Sequence, residues 1–483
     1  MLKRRFYQTL LEWKNSPRRN AMLVTGARQV GKTTLIRQFG QEQYDCFAEL
    51  NFIEDPSLCA AFRAGRDANT VIENISAWRV RQGGSPLEPG RTLIFLDEIQ
   101  ECPEARTAIK FLVEDGRFDY IESGSLLGVR TKEVMSYPVG YETVRQMFPM
   151  DLEEFAWARG MGEEAFGVAR RAFASEIPVH PYIHQALLRL FYLYILVGGM
   201  PDAVKTFAET HDIGKVILRQ KDILEVYRQD IAKYSPTRKA KIYDIFDKIP
   251  SQLGEKSRRF MVASIKKSAR FAQYEDSFVW LRDAGVALPC YNVAELKLPL
   301  AINEQRTLFK LFLADTGLLS ASCMDKKQYD VLMGNLQMNM GGVMENAFAQ
   351  IFVSKGYALR YFSKPQYGEI DFVLHRGTQC LPVEIKSGGS CRSHAALDSV
   401  LRVDAWGIDK AYVFCRENVA VDGKVRYLPW YMAMCLEPDD GNQGKPQIID
   451  WDFSDLSDGN LRRLLSQEGD RAQNPQAPGG SRK

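Results

Sequence analysis

Across the first 160 residues, short apolar runs alternate with segments of helical period. Met22-Leu23-Val24, the alternating stretch Cys46–Phe52, the run Leu93–Leu96 and the stretch Phe118–Ser125 each predict a strand. Helical patterns over 56–82 and Ala105–Glu114 separate the later ones. Residues 3–20 put Phe6, Leu10, Leu11 and Trp13 on one side of an amphipathic helix before the basic turn Ser16-Pro17-Arg18-Arg19. Strands that alternate with helices, with their loops at the strand C-termini, predict an α/β fold with a doubly wound parallel sheet.

Beyond residue 160 the pattern turns helical. Ile183 to Tyr234 predicts helices, with Leu187, Leu190, Phe191, Tyr194 and Ile195 on one face and a break at Gly198-Gly199-Met200-Pro201. From Ile242 to Val293 it predicts three helices, near 242–249, 263–268 and 274–284, and a β-like run over Val286–Val293, the plan of a winged helix. Thr307–Leu319 reads as a strand and a helix start capped by Asp315 or Thr316, a structural role. The remainder predicts a helix over Gly342–Val353 and strands at Tyr357–Tyr361, Gly368–Leu374, Cys380–Lys386 and Lys410–Phe414. A helix over Leu397–Val403 and the closing stretch Tyr427–Met432 complete an α/β/α layer. Ser466–Lys483 carries no Leu, Ile, Val or aromatic residue and reads as disordered.

Chemistry enters between the first strand and its helix. Gly26-Ala27-Arg28-Gln29-Val30-Gly31-Lys32-Thr33, followed by Thr34, is a glycine loop that opens a helix. There the two glycines let successive N–H groups converge, and the helix N-terminus adds partial positive charge, so a phosphate fits. Lys32 is expected to reach the outer phosphates and Thr33 to offer its hydroxyl to Mg²⁺. A second requirement is met at Arg91–Glu98, a buried parallel-type strand ending in two carboxylates. Asp97 is expected in the Mg²⁺ shell, and Glu98 as the group that polarises the attacking water. Ser123, with Ser125 second, is the candidate sensor of the γ-phosphate. Arg145 is the favoured transition-state arginine over Arg28 and Arg130, and a finger acting in trans requires an oligomer.

The order of these motifs carries a resemblance. A basic N-terminal helix, Gly26–Thr34, Leu96-Asp97-Glu98-Ile99-Gln100, Glu122-Ser123-Gly124-Ser125, Pro149–Phe155 and Gly198-Gly199-Met200-Pro201 occur in sequence. The chain thereby resembles prokaryotic AAA-type ATPases whose C-terminal half is a domain of unknown function, over about residues 1 to 390. The resemblance implies ATP as the nucleotide, a P-loop ATPase domain, a helical and winged-helix middle, and a restriction-endonuclease-like end. One position departs from the family pattern: Ser123 stands where a Thr is usual, which keeps a hydroxyl for the sensor role.

The second constellation lies in that end. Asp371, Glu384 and Lys386 form the Asp…Glu-x-Lys signature of restriction-like nucleases. Glu384 and Lys386, two apart on one strand, project from the same face. Asp371 on a neighbouring strand can share a divalent metal with Glu384, with Glu345 completing the shell, and carboxylate oxygens suit Mg²⁺ or Mn²⁺. Lys386 is expected to position or deprotonate the attacking water. Two readings stay open, a metal-dependent DNA nuclease and a degenerate nuclease fold kept for contact.

Composition narrows the class. Hydrophobic content of 45% and charged content of 25% describe an ordinary globular protein, and a net charge of +3 leaves any nucleic-acid surface to local clustering. Lys256, Arg258, Arg259, Lys266, Lys267 and Arg270 form such a cluster, either a DNA-phosphate surface or a solvated basic face. No apolar run approaches the roughly 18 residues of a membrane span. Nine cysteines without a Cys-x-x-Cys pair read as thiols of a reducing cytoplasm. The expected domains are an ATPase over 1–160, a helical lid over 161–240, a winged helix over 241–300, a nuclease-like domain over 301–465 and a tail over 466–483. The expected partners are ATP, DNA, a second copy of the chain and an unidentified protein. An ATP-regulated nuclease, an ATP-driven DNA-binding or regulatory switch and a protein-remodelling ATPase all remain compatible with the sequence.

Overall fold

Five strands form the first sheet in the order β2-β3-β4-β1-β5, every neighbouring pair parallel. They are β1 (Ala21–Thr25), β2 (Cys46–Asn51), β3 (Thr92–Asp97), β4 (Asp119–Ser123) and β5 (Glu142–Gln146). The computed structural model describes residues 2–438 except 18, 64, 66, 125–137, 139, 235–237, 324–340 and 389–390. Ser125, Arg130 and the tail expected over 466–483 lie outside the described residues.

β1 and β3 are buried at every position, as a parallel sheet covered on both faces requires. Alternate side chains enter different cores. Met22, Val24, Leu93, Phe95 and Ile121 pack with Leu10 and Trp13 of α1 (Phe6–Lys14) and with Leu35, Ile36 and Phe39 of α2 (Lys32–Gln43). Leu23, Ala48, Leu50, Ile94, Leu96 and Tyr120 pack on the other side. There they meet α3 (Cys59–Arg63), α4 (Ala68–Arg81) and α5 (Pro103–Asp115). β5 was not legible as a strand. It carries Glu142, Thr143, Val144, Arg145 and Gln146 with no apolar alternation, and only its edge pairing with β1 extends it.

Helices α6 (Leu152–Ala158), α7 (Glu163–Ser175), α8 (Pro181–Val197), α9 (Pro201–Thr210) and α10 (Ile213–Tyr234) follow, then α11 (Lys239–Gly254) and α12 (Glu275–Asp283). Between α11 and α12 the helix expected near 263–268 is only a 3-10 turn at Val262–Ser264, with a second at Phe271–Gln273. Neither turn contains a fully buried side chain, so a longer helix there would lack a buried stripe to stabilise it.

The β-run after α12 becomes β6 (Ala287–Val293), antiparallel to β7 (Glu304–Leu313) and parallel to β8 (Arg360–Lys364), which pairs with β9 (Gly368–Ile370). Pairing of β6 with β7 and β8 therefore carries one sheet across residue 300. α13 (Thr316–Cys323) and α14 (Gly341–Ser354) precede β8. The third sheet runs β10 (Phe372–Arg376), β11 (Gln379–Ile385), β12 (Ala411–Cys415), β14 (Val425–Pro429) and β13 (Ala420–Asp422). The stretch Gly368–Leu374 thus splits at Asp371 between two sheets, and α15 (Ala395–Leu401) follows β11. One apolar core includes Leu10, Met150, Tyr194, Phe348 and Leu436, so the ATPase sheet, the middle helices and the C-terminal half share buried surface.

Candidate active site and a second charged cluster

The sheet order places β4 between β1 and β3, so the C-terminal ends of these strands open side by side onto the glycine loop. Gly26 has φ +147°, and a Cβ there would lie 2.2 Å from the Met147 carbonyl oxygen. Gly31 has φ +92° and stands as N-cap of α2. Lys32 is buried, and its Nζ donates to the carbonyls of Gly26 and Ala27, each at 3.0 Å. Burial lowers its ammonium to about 8, against the nearby carboxylates of Glu98 and Asp97.

Asp97 organises the site. Thr33 Oγ1 lies 3.2 and 3.1 Å from its two oxygens, Asn51 Nδ2 donates to Oδ2 at 3.2 Å, and the Ser123 hydroxyl donates to Oδ1. Burial, with the Glu98 charge, raises the Asp97 carboxyl above its usual range, while Ser123 and Thr33 oppose the shift. Glu98 has φ +56°, and its carboxylate accepts from the Gln100 amide. A hydroxyl beside a single carboxylate, at a loop of converging N–H groups, is the donor set Mg²⁺ takes when phosphates and water supply its other ligands. The residues fit both ATP and Mg²⁺.

Several contributors were not legible in the sequence. Asn51 reaches Asp97 because β2 and β3 pair in register, Asn51 opposite Asp97. Arg4 donates to the Val30 carbonyl at 2.8 Å and the Phe148 carbonyl at 2.6 Å, and Glu154 holds its Nε at 3.2 Å. The nearly buried Arg4 thereby braces the glycine loop from outside. Arg28 pairs with Asp230 of α10 at 2.9 Å, and the Tyr227 hydroxyl of the same helix donates to the Arg28 carbonyl at 3.3 Å. Gln29, Gly31, Thr34 and Leu35 line an open pocket of about 690 Å³ together with Leu2, Arg4, and Pro201 and Lys205 of α9. Val30, within the loop, is buried. Arg145 is exposed on the edge strand, where its guanidinium donates to the Val144 carbonyl, and its side chain is not among the groups gathered at Asp97.

In the C-terminal half the sequence-predicted residues are brought together, but with cations among them. Lys386 Nζ lies 2.6 Å from Glu384, and Asp371 Oδ2 accepts the Ile385 N–H at 2.8 Å. Burial raises the Glu384 carboxyl, with Asp371 adding to the shift and Lys386 opposing it. Glu345 is buried, with one oxygen accepting from Arg258 and the other from the fully buried Lys310 at 3.1 Å. Lys310 also pairs with Glu369 at 2.8 Å. Among the described residues no group of three or more His, Cys, Asp or Glu side chains is arranged to hold a metal ion. As arranged, Glu345, Asp371 and Glu384 do not fit Mg²⁺ or Mn²⁺. Arg259, from the basic cluster, donates to the Ser363 hydroxyl. Two of that cluster's six side chains therefore face the protein, while Lys256, Lys266, Lys267 and Arg270 are exposed.

Residues 18–156 match the family model described as AAA domain. Residues 188–328 match a domain of unknown function (DUF8612), and residues 340–432 match another (DUF4143). No curated protein matches the chain. Among solved structures, an Orc1 protein of Aeropyrum pernix in complex with DNA is 12% identical, covering 69% of this chain and 92% of that chain, with a TM-score of 0.25. A RuvB variant of Thermotoga maritima is 15% identical over 58% of this chain and 86% of its own, TM-score 0.28. The ORC of Drosophila bound to DNA is 13% identical over 63% and 89%, TM-score 0.25. The parallel sheet, the glycine loop and the family match together make the N-terminal region an AAA-type P-loop ATPase domain. Among the described residues no helix is long and apolar enough to cross a membrane.

Proposed function

We propose that the chain hydrolyses ATP at this loop and that its nucleotide state controls the C-terminal half. The observation that carries the first part is the convergence of Thr33, Asn51 and Ser123 on Asp97 beside the Gly26–Gly31 loop. Bound ATP and Mg²⁺ supply the electrophilic γ-phosphate and the charge that neutralises it. Lys32 holds the outer phosphates, Thr33 and Asp97 hold the Mg²⁺ shell, and Glu98, steadied by Gln100, orients the attacking water. Ser123 is the sensor of the γ-phosphate, and Arg145 acts as a finger only on a second copy, since its side chain is exposed at the sheet edge. Steady-state ATP turnover tests this. Glu98→Gln is expected to lower kcat by about 10²–10³ with ATP still bound, and Lys32→Ala to lose binding as well. Wild-type turnover by Glu98→Gln would remove Glu98 from the reaction.

Control of the second half is supported by α10, which touches the glycine loop through Asp230 and Tyr227 and is tied to α11 by the Arg228–Asp247 pair. For that half we favour a nuclease-like fold that does not cut in this state, used for DNA or protein contact, because both oxygens of Glu345 are held by cations. Contact with DNA phosphates would use Lys256, Lys266, Lys267 and Arg270. Wild type and Lys386→Ala, incubated with single- and double-stranded DNA and Mg²⁺ or Mn²⁺, with and without ATP, are expected to leave the DNA intact. Cutting by wild type that Lys386→Ala abolishes would restore the nuclease reading.

A further inference from the structure

Arg258 lies in the connection after α11, outside the nuclease-like signature, yet its guanidinium pairs with Glu345 and stands 3.8 Å from Asp371. Its backbone is left-handed, φ +50°, a conformation a residue with a long side chain adopts only where its surroundings hold it. The facing helix is shaped to receive it. Gly341 opens α14, and a Cβ there would lie 2.2 Å from Arg258 Nη2. A Cβ on Gly342 would lie 2.2 Å from the carbonyl oxygen of Leu253, at the end of the helix that delivers Arg258. Lys310, with no exposed surface, completes the neutralisation of Glu345 and lies 5.2 Å from the Tyr361 ring.

The charges around this point decide what it can hold. Four carboxylates, Glu345, Glu369, Asp371 and Glu384, face three cations, Arg258, Lys310 and Lys386. Removing Arg258 leaves four against two, the deficit one divalent ion would fill. With a guanidinium already seated between Glu345 and Asp371, both oxygens of Glu345 are taken by cations and the added positive charge disfavours such an ion.

We propose that Arg258 is the resident cation of this carboxylate site, standing in the position a divalent metal would take and excluding it. The inference rests on the nuclease-like reading of Asp371, Glu384 and Lys386. It adds that the middle of the chain, not the nuclease-like half itself, supplies the side chain that closes the site.

The test is Mn²⁺ binding to the full-length, nucleotide-free protein, followed by calorimetry and by the Mn²⁺ electron paramagnetic resonance signal. Arg258→Met, which removes the charge and keeps most of the volume, is expected to gain one Mn²⁺ per chain. Its affinity should exceed that of wild type by about tenfold or more, the scale on which groups beside metal ligands move affinity. Glu345→Gln added to that variant is expected to abolish the gain. If wild type binds Mn²⁺ as tightly as Arg258→Met, and Asp371→Asn removes that binding, the metal site stands and the role given to Arg258 falls. If folded Arg258→Met binds no Mn²⁺, both ideas fall. Should Arg258→Met not fold, the wild-type thermal midpoint decides. It is expected not to move with Mn²⁺, and a rise that Asp371→Asn removes would overturn the proposal.

Discussion

Lys32 meets opposing demands at one atom: burial disfavours its ammonium while Glu98 and Asp97 favour it, and burial dominates, leaving the group near 8. Phosphate oxygens placed against the ammonium stabilise its charged form, so nucleotide binding raises this value. The sign follows. Near pH 8 part of the free protein carries neutral Lys32, and binding ATP draws a proton from solution, on the order of half a proton per site. Near pH 6 the ammonium is already charged and this uptake vanishes. Calorimetry in two buffers of different ionisation heat measures it, and Lys32→Arg, which stays charged, is expected to show none. Proton release at pH 8, or equal uptake by Lys32→Arg, would contradict the assignment. Lys32 and its loop were legible because the motif is local. Arg4 and Asn51 were not, because an arginine in a basic helix and an asparagine at a strand end have no local signature. Only strand register and the approach of α1 give them partners.

At the scale of elements, the break between α8 and α9 at Gly198-Gly199-Met200-Pro201 joins three regions. The Gly199 N–H donates to Asp315 at 2.6 Å, and its carbonyl accepts the Met150 N–H at 2.7 Å. Asp315 also accepts from the Leu318 N–H at 3.0 Å, the cap of α13 expected from the sequence. Burial raises its carboxyl to about 6, with the N–H groups of Gly199 and Leu318 opposing that shift. A Cβ on Gly199 would lie 2.0 Å from the Met150 carbonyl oxygen, and backbone cannot move aside as a side-chain tip can. Gly199→Ala is therefore expected to cost about 2–4 kcal/mol in thermal or denaturant unfolding. Gly167→Ala, inside α7 with only the end of Arg171 nearby, should instead stabilise by about 0.5–1 kcal/mol. Equal effects at the two positions would mean that the junction tolerates displacement. The helices themselves were readable from apolar period. The 3-10 turns at 262–264 and 271–273 and the edge strand β5 were not, since each lacks the buried stripe that makes period visible.

Over the whole molecule, contacts lead from the glycine loop towards Arg258. Arg28 and its carbonyl meet Asp230 and Tyr227 on α10. Arg228 of the same helix pairs with Asp247 of α11 at 2.6 Å, and the Tyr243 hydroxyl donates to the Arg228 carbonyl at 2.8 Å. α11 then ends a few residues before Arg258. Adjacency of this kind becomes coupling only if both ends bias one element. ATP is accordingly expected to change amide hydrogen exchange over 239–259 in wild type. Asp230→Asn should reduce that change by half or more while ATP turnover stays within about threefold. An undiminished response would place the coupling elsewhere. The sequence alone determined the glycine loop, the Asp97-Glu98 strand end, the βα alternation and the Asp…Glu-x-Lys spacing, because each is written in neighbouring residues and in side-chain period. Tertiary structure alone decided that Asp97 gathers Asn51 and Ser123, that β6 joins a sheet with β8, and that Arg258 and Lys310 stand among the C-terminal carboxylates. Those outcomes depend on which distant elements pack together, and ion pairs between residues as far apart as Arg258 and Glu345 leave no periodicity in the chain.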